Sequence, residues 1–282
     1  MKHDFTTRVD RRGTGSAKWE AMYLKNPQVS PGVAPLSVAE MELLNPPEII
    51  AGLKEFLDHA VLGYTLPTNA YKKAVAGFMK RRHNWEILED WIVQSPGVIS
   101  AFFVAVNAFT EPGDGVIIMP PVYYPFSMAA NVNGRTLVNN PLIEQSGTYK
   151  IDFDDLEAKA EDPKNKLLIF CSPHNPVGRV WTKEELRCVA DICNRNKVLV
   201  ISDEIHFDLL LPGTTQTIYS TLSEETAQNC IVCTAPSKSF NLAGMQVSNI
   251  IIPNKELREK LANQFLRNGL VMIGILEQKA CE

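Results

Sequence analysis

Residues 167–206 read LLIFCSPHNPVGRVWTKEELRCVADICNRNKVLVISDEIH. Two short, continuous apolar runs, 167–171 and 198–202, enclose a segment with the periodicity of an amphipathic helix. Thr182 and Glu185 form a T-x-x-E capping box at the start of that helix. Each apolar run ends in polar residues. This pattern predicts buried strands separated by a helix that covers them.

The same alternation extends along most of the chain. Three further apolar runs, 116–119, 230–233 and 247–252, have the length of buried strands. Helical patterns occur at 47–60, 71–82 and 98–109, behind Thr182, and behind Asn254 as a candidate N-cap. Short apolar strands separated by helices predict an α/β fold, with a mostly parallel central sheet and helices on both faces.

Composition excludes several classes of protein. The chain has 282 residues with 45% hydrophobic and 21% charged side chains, the balance of an ordered globular protein. Its 28 basic and 32 acidic residues give a net charge of −4, which argues against a nucleic-acid binder. Six cysteines in this length are too few for a disulfide scaffold.

No membrane or export signal is visible. The first residues, MKHDFTTRVDRRG, lack the apolar core of a secretory signal. The longest apolar stretch, 98–109, is much shorter than the ~20 residues that span a bilayer. We therefore expect a cytoplasmic protein with no membrane partner.

Cys230 and Cys233 form a C-x-x-C that could suggest zinc. They lie in a strand-like run, however, where residues three apart point to opposite faces. No second Cys/His pair has zinc-finger spacing. We expect buried thiols and no metal site.

Candidate chemistry follows three of the apolar runs. In a sheet of this type, ligands bind outside the carboxyl ends of the strands. The residues at these exits are His174-Asn175, Asp203-Glu204-Ile205-His206 and Ser237-Lys238. Taken alone, these residues also have a purely structural explanation. A lysine in a Ser/Pro-rich loop is usually solvated, and an Asp at a strand end usually caps a turn.

Together these residues match the needs of one cofactor, pyridoxal 5'-phosphate (PLP). PLP needs a lysine amine to hold its aldehyde and an acid beside its pyridine nitrogen. Lys238 and Asp203 are the candidates, with Asn175 as donor to the phenolic oxygen and Tyr123 stacked on the ring. A domain that binds no ligand would match all these requirements of PLP only by chance.

The phosphate of such a cofactor needs an anion cradle. Gly97, Val98 and Ile99 open the helical segment 98–109. Backbone N–H groups at a helix N-terminus favour phosphate because they are free donors in a region of partial positive charge. We expect the N–H groups of these three residues to form the cradle.

At this point a family resemblance is plain. The sequence resembles the fold-type I PLP enzymes of the class I/II aminotransferase superfamily, and within it the cystalysin-like cystathionine β-lyase group. The motifs that carry the resemblance are DRRGTGSAKW at 10–19, PLSVAEME at 35–42, VLGYT at 61–65, PVYYPF at 121–126, CSPHNPVGR at 171–179, SDEIH at 202–206 and TAPSKSFNLAGM at 234–245. They span essentially the whole chain.

The resemblance implies roles for further residues. His206 stands where aminotransferases of the superfamily usually have Tyr, which favours the lyase group. Tyr64 is expected to reach the cofactor phosphate of a neighbouring subunit, so a homodimer is expected. Tyr124 is expected near the substrate, where it assists proton transfer. Ala235 departs from the hydroxyl residue often found three before the lysine, a role that Ser237 or Thr234 could take.

The implied activity is carbon–sulfur β-lysis. Lys238, Asp203 and Tyr124 would act on an S-substituted L-cysteine such as cystathionine, releasing a thiol, pyruvate and ammonia. Two alternatives stay open. One is an aminotransferase with the same cofactor, and the other is a truncated, non-catalytic PLP-binding regulator.

The resemblance also predicts the domain organisation. Residues 1–46 would form an N-terminal segment belonging to the small domain and the dimer contacts, and 47–282 a large PLP-binding domain, incomplete at its C-terminal end. Family members continue for about another 100 residues. That C-terminal small domain would carry the arginine that binds the substrate carboxylate, so no residue of this chain is assigned that role. We expect the isolated chain to be poorly soluble or inactive.

Overall fold

The computed structural model describes residues 3–282. The strands are β1 (Ile92–Ser95), β2 (Gly115–Ile118), β3 (Thr136–Asn139), β4 (Ile143–Gln145), β5 (Thr148–Lys150), β6 (Asn165–Cys171), β7 (Leu199–Asp203), β8 (Cys230–Thr234) and β9 (Ser248–Ile251). The helices are α1 (Ala17–Lys25), α2 (Pro47–Leu57), α3 (Asn69–His83), α4 (Val98–Phe109), α5 (Pro125–Val132), α6 (Phe153–Ala160), α7 (Lys183–Arg195), α8 (Glu224–Gln228), α9 (Pro236–Ser239), α10 (Lys255–Arg267) and α11 (Ile275–Cys281).

Seven strands form one sheet in the order β1-β9-β8-β7-β6-β2-β3. The five strands from β8 to β3 are parallel to their neighbours, whereas β9 pairs antiparallel with both β8 and β1. β4 and β5 form a separate hairpin. The expected mostly parallel sheet is confirmed, and its parallel part brings the carboxyl ends of β6, β7 and β8 to one edge.

Helices cover both faces of the sheet. One apolar core joins the sheet to α4, α5 and α10, and a second joins its other face to α6 and α7. Cys233 belongs to the first core and Cys230 to the second, which confirms that the two thiols point to opposite faces. Both are free and buried.

Local sequence signals explain where two of the helices begin. The Thr182 hydroxyl accepts from the Glu185 N–H while the Glu185 carboxylate accepts from the Thr182 N–H, so the capping box is complete. Asn254 Oδ1 accepts from two first-turn N–H groups of α10. These side chains satisfy donors that have no intrahelical acceptor.

Helix α4 is the apolar centre of one layer. Phe102 is fully buried and packs edge to face on Phe126, with ring centroids 5.1 Å apart. Although α4 is apolar on most of its surface, it has only 12 residues. Among residues 3–282, no helix is both long and apolar enough to cross a membrane.

Phe102→Ala should destabilise the protein strongly. The substitution removes a fully buried ring and leaves a cavity in the core beside Phe126. We expect the free energy of unfolding to fall by about 3–5 kcal/mol, measured by urea denaturation. Val132→Ala at a 70% exposed position of α5 is the control and should change it by less than about 0.5 kcal/mol. Equal losses in the two variants would contradict the placement of α4 in the core.

Helix α2 differs from the expectation. It ends at Leu57 rather than at residue 60, and none of its residues is buried. Ile50 and Leu57 remain 38% and 46% exposed. The reason is that α2 packs mainly on the short helix α11 rather than on the sheet, so its apolar side is only partly covered.

Candidate active site

A cleft with a volume of about 730 Å³ opens where the parallel strands end. Asp203, the last residue of β7, lies in register between Cys171 of β6 and Cys233 of β8. The loops that follow these strands form one wall, and the N-terminus of α4 forms another. The cleft therefore lies where sheets of this type bind ligands.

Almost all residues predicted for the site line this cleft. They are Gly97, Val98, Ile99, Tyr123, Tyr124, Asn175, Asp203, His206, Ser237 and Lys238. Tyr64 is the exception, because it is 97% exposed and does not line the cleft of its own chain.

Asp203 is a buried carboxyl at the base of the cleft. It is 3% exposed, and its Oδ1 accepts from the Ile205 N–H at 3.2 Å. Burial raises the pKa of Asp203 to about 7, against the opposing effects of that hydrogen bond and of Lys238. A buried carboxylate of this kind is stabilised by a cation placed beside it.

Lys238 lies on the short helix α9 and is half-buried. Its Nζ donates to the carbonyl oxygen of Ala39 at 3.0 Å. Burial lowers the pKa of Lys238, while the carboxylates of Glu40 and Asp203 raise it. A lowered amine pKa makes the neutral, nucleophilic form of the lysine more accessible.

The N-terminus of α4 differs in detail from the expected cradle. The Gly97 N–H donates to the Ser95 carbonyl at 2.8 Å, so it is not free for a phosphate as expected. The N–H groups of Val98 and Ile99 lie in the first helical turn and have no intrahelical acceptor. Gly97 instead suits this position because it has no side chain. It has a φ of +81°, and a Cβ there would lie 3.3 Å from Gln246 Oε1.

Two tyrosines follow the cis peptide Pro120-Pro121 at the mouth of the cleft. Tyr123 is half-buried and Tyr124 is 68% exposed, with ring centroids 5.5 Å apart. Burial raises the pKa of Tyr123, with Tyr124 and Asp203 adding to the shift. Tyr123 is thus the more enclosed ring, and Tyr124 the one that faces the opening.

His174 contacts the turn that precedes the two tyrosines. Its Nε2 lies 3.1 Å from the Pro121 carbonyl oxygen, to which it donates. Burial lowers the pKa of His174 to about 4, so the ring is neutral near pH 7. The neighbouring Asn175 N–H donates to Cys171 Sγ at 3.3 Å. These contacts fix the loop that carries Asn175 against the turn that leads to Tyr123.

Several cleft residues were not predicted as site residues. They include residues 36–39, Ser100, Gln246 and Ser248. The motif at 35–42 was the only available signal for the first of these segments. Because residues 36–39 are far from Lys238 in the sequence, no local pattern indicates that the two segments are in contact.

The side chains present fit PLP. The cleft is within the ~300–1,000 Å³ range of small-molecule sites. It combines an amine, a buried carboxyl, an aromatic ring and the N-terminus of a 12-residue helix. Burial raises the pKa of Asp203, and a cationic ring nitrogen beside it would stabilise its ionised form. Within residues 3–282, no group of three or more His, Cys, Asp or Glu side chains is placed to hold a metal ion.

The chain belongs to the class I and II aminotransferase family, whose model matches residues 31–271. It is 46% identical over 270 residues to cystathionine β-lyase PatB of Bacillus subtilis, covering 95% of this chain and 68% of PatB. This similarity places the chain in the cystathionine β-lyase group of the family.

Solved structures agree with this assignment. The fold matches cystalysin from Treponema denticola, which contains PLP, with a TM-score of 0.97 and 51% identity over 100% of this chain and 71% of cystalysin. It also matches the PLP-bound C–S lyase from Staphylococcus hominis, with a TM-score of 0.90 and 31% identity over 99% of this chain and 70% of that enzyme. The fold is therefore the aminotransferase-like fold of PLP-dependent enzymes.

Proposed function

We propose that this chain carries the active site of a PLP-dependent carbon–sulfur β-lyase. Its substrates would be S-substituted L-cysteines such as L-cystathionine, and its products a thiol, pyruvate and ammonia. The observation that carries the proposal is the single cleft that joins Lys238, Asp203, Tyr123 and Asn175 in a chain 46% identical to a cystathionine β-lyase.

Four side chains would hold the cofactor. Lys238 Nζ would bind its aldehyde carbon, and Asp203 would pair with its pyridine nitrogen. Asn175 would donate to the phenolic oxygen, and the Tyr123 ring would pack on the pyridine ring. The first-turn N–H groups of α4 would face the phosphate. When bound, PLP supplies an electron sink that stabilises negative charge at the substrate Cα.

The protein's own groups would handle protons and orientation. Lys238, whose pKa is lowered by burial, would take the proton from Cα as a general base. Asp203, ionised beside a cation, would keep the opposing nitrogen protonated. Tyr124 lies at the open side of the cleft, where it would assist proton transfer to the departing sulfur.

A homodimer is proposed as the working assembly. Exposed apolar side chains are concentrated between residues 36 and 66, at Leu36, Leu44, Ile50, Leu57, Val61, Leu62, Tyr64 and Leu66. Such a concentration of apolar surface is typical of an interface. Tyr64 would then reach the cofactor phosphate of the partner subunit, and residues 1–46 would serve both the small domain and the dimer contacts, with 47–282 forming the large domain.

The lyase and aminotransferase reactions can be separated in one assay. The product of the complete gene, including any residues that follow Glu282, is loaded with PLP and given L-cystathionine without a keto acid. Pyruvate and thiol released in equal amounts support the lyase. Amino transfer that depends on an added keto acid, without thiol release, would instead establish an aminotransferase. PLP binding without either reaction would favour the non-catalytic regulator.

A further inference from the structure

The mouth of the cleft is bordered by an N-terminal segment that is remote in sequence. We call residues 36–45 the strap. Its first part, 36–39, lines the cleft. The carbonyl oxygen of Ala39 accepts from Lys238 Nζ at 3.0 Å. The strap has no helix or strand of its own, so its position depends on contacts with other segments.

Asn241 ties the strap to the loop that follows Lys238. Its Oδ1 accepts from the Met41 N–H at 2.9 Å. Its Nδ2 donates to the carbonyl oxygens of Met41 at 3.1 Å and Leu43 at 3.2 Å. One side chain thus pairs with three backbone groups of the strap, as a neighbouring strand would.

Asn45 makes the reciprocal contact from the strap. Its Nδ2 donates to the carbonyl oxygens of Phe240 at 3.0 Å and Asn241 at 2.9 Å. The two asparagines therefore connect the strap to Phe240 and Asn241, shortly after Lys238, through five hydrogen bonds.

Ion pairs hold the strap on its other side. Arg11 lies 2.7 Å from Glu40, and the buried Lys18 lies 2.5 Å from Glu42. Lys18 also donates to the Glu40 carbonyl at 2.9 Å. These contacts attach the strap to residues 11–18 and make no link to the Lys238 loop. Among residues 3–282, the hydrogen bonds between the strap and the Lys238 loop are therefore the Lys238–Ala39 contact itself and those of the two asparagines.

We propose that Asn241 and Asn45 are positioning residues that hold the strap over the Lys238 amine. The inference rests on the proposed function and adds to it a means of orienting the lysine. Misplacement of reacting groups by about 1 Å can cost up to ~100-fold in rate. Loosening the strap should accordingly slow turnover while the cofactor contacts of Asp203, Tyr123 and α4 remain.

The backbone of Asn241 permits a clean test. Asn241 has a φ of +56°, a conformation that glycine adopts without strain. Asn241→Gly therefore removes the side-chain contacts and keeps the turn. Asn84→Gly is the matched control, because Asn84 is exposed, has a φ of +50° and caps α3 away from the cleft.

Two readouts are measured on the PLP-loaded product of the complete gene. The first is hydrogen exchange of the strap amides, above all Met41, which donates to Asn241 Oδ1. We expect exchange there to be at least tenfold faster in Asn241→Gly and unchanged in Asn84→Gly. The second is steady-state turnover of L-cystathionine. We expect kcat to fall by about tenfold or more in Asn241→Gly while the visible absorption band of bound cofactor persists.

A second pair of variants keeps the result interpretable. Asn241→Asp retains the acceptor for the Met41 N–H but places a carboxylate oxygen against the Met41 and Leu43 carbonyl oxygens, so it should impair both readouts at least as much as Asn241→Gly. Asn45→Ala should reproduce the change from the other side. Unchanged strap exchange or unchanged kcat in Asn241→Gly would overturn the inference. If the wild-type protein were inactive but the strap amides still exchanged faster in Asn241→Gly, the proposed function would be refuted. The role of Asn241 in holding the strap would still be supported.

Discussion

Lys238→Ala should abolish turnover and covalent attachment of the cofactor. Lys238 Nζ is the only lysine amine among the described residues that line the cleft. Its removal eliminates both the group that would bind the cofactor aldehyde and the general base. Because general-base catalysis alone contributes about 10²–10⁴-fold, we expect pyruvate release to fall by at least ~10⁴-fold.

The control for this substitution is Lys183→Ala at the exposed start of α7. It removes the same atoms at a distance from the cleft and should leave activity unchanged. Circular dichroism and urea denaturation check that Lys238→Ala remains folded. A folded Lys238→Ala protein with the wild-type rate of pyruvate release would contradict the assignment of this lysine.

Asp203→Asn should have the next largest effect. The carboxyl is 3% exposed at the end of the central strand β7, and the amide has nearly the same shape. The substitution removes the negative charge that would stabilise a protonated ring nitrogen. Loss of one charge-assisted hydrogen bond of about 3 kcal/mol corresponds to about a hundredfold in rate, so we expect kcat to fall by at least that factor.

Glu204→Gln is the matched control for Asp203→Asn. Glu204 is also fully buried and adjacent in sequence, but it accepts from Ser202 Oγ and the Tyr219 N–H and does not line the cleft. It should retain most of the activity. If Asp203→Asn retained wild-type turnover, or if Glu204→Gln lost as much as Asp203→Asn, the special role of Asp203 would be refuted.

Asp203 also has a consequence for stability in the absence of cofactor. Burial raises its pKa from 3.8, its ordinary value, to about 7 in the folded protein. Between these pH values the folded state binds more protons than the unfolded state, so the free energy of unfolding falls as pH rises from about 4 to about 7. The contribution of one such group is at most about 1.4 kcal/mol per pH unit. Urea denaturation of the cofactor-free protein should show a shallower pH dependence in Asp203→Asn, and an unaltered slope would contradict the raised pKa.

Local and periodic signals account for the parts of the fold that were predicted correctly. The capping box at Thr182, the N-cap at Asn254 and helix 98–109 depend on residues a few positions apart. The positions of Asp203 and Lys238 at one sheet edge follow from a general property of parallel strands. Such features need no knowledge of the rest of the chain.

The features that were missed depend on contacts distant in sequence. The antiparallel pairing of β9 with β8 and β1 has no local signature. Pairing of the Gly97 N–H with Ser95 is a turn detail that helix periodicity does not encode. The strap contacts Lys238 and Asn241 from about 200 positions away in the sequence. Helix α2 has an amphipathic sequence, yet its apolar side stays half-covered because packing partners, not periodicity, determine burial.

The most direct test of the active-site assignment is to map where PLP attaches. The protein is incubated with PLP, reduced with borohydride, digested and analysed by mass spectrometry. We expect one modified peptide, carrying the phosphopyridoxyl group on Lys238, and its loss in Lys238→Ala. Modification at other lysines with Lys238 unlabelled, in a protein that is folded by circular dichroism, would contradict the central claim that this cleft is a PLP-dependent active site.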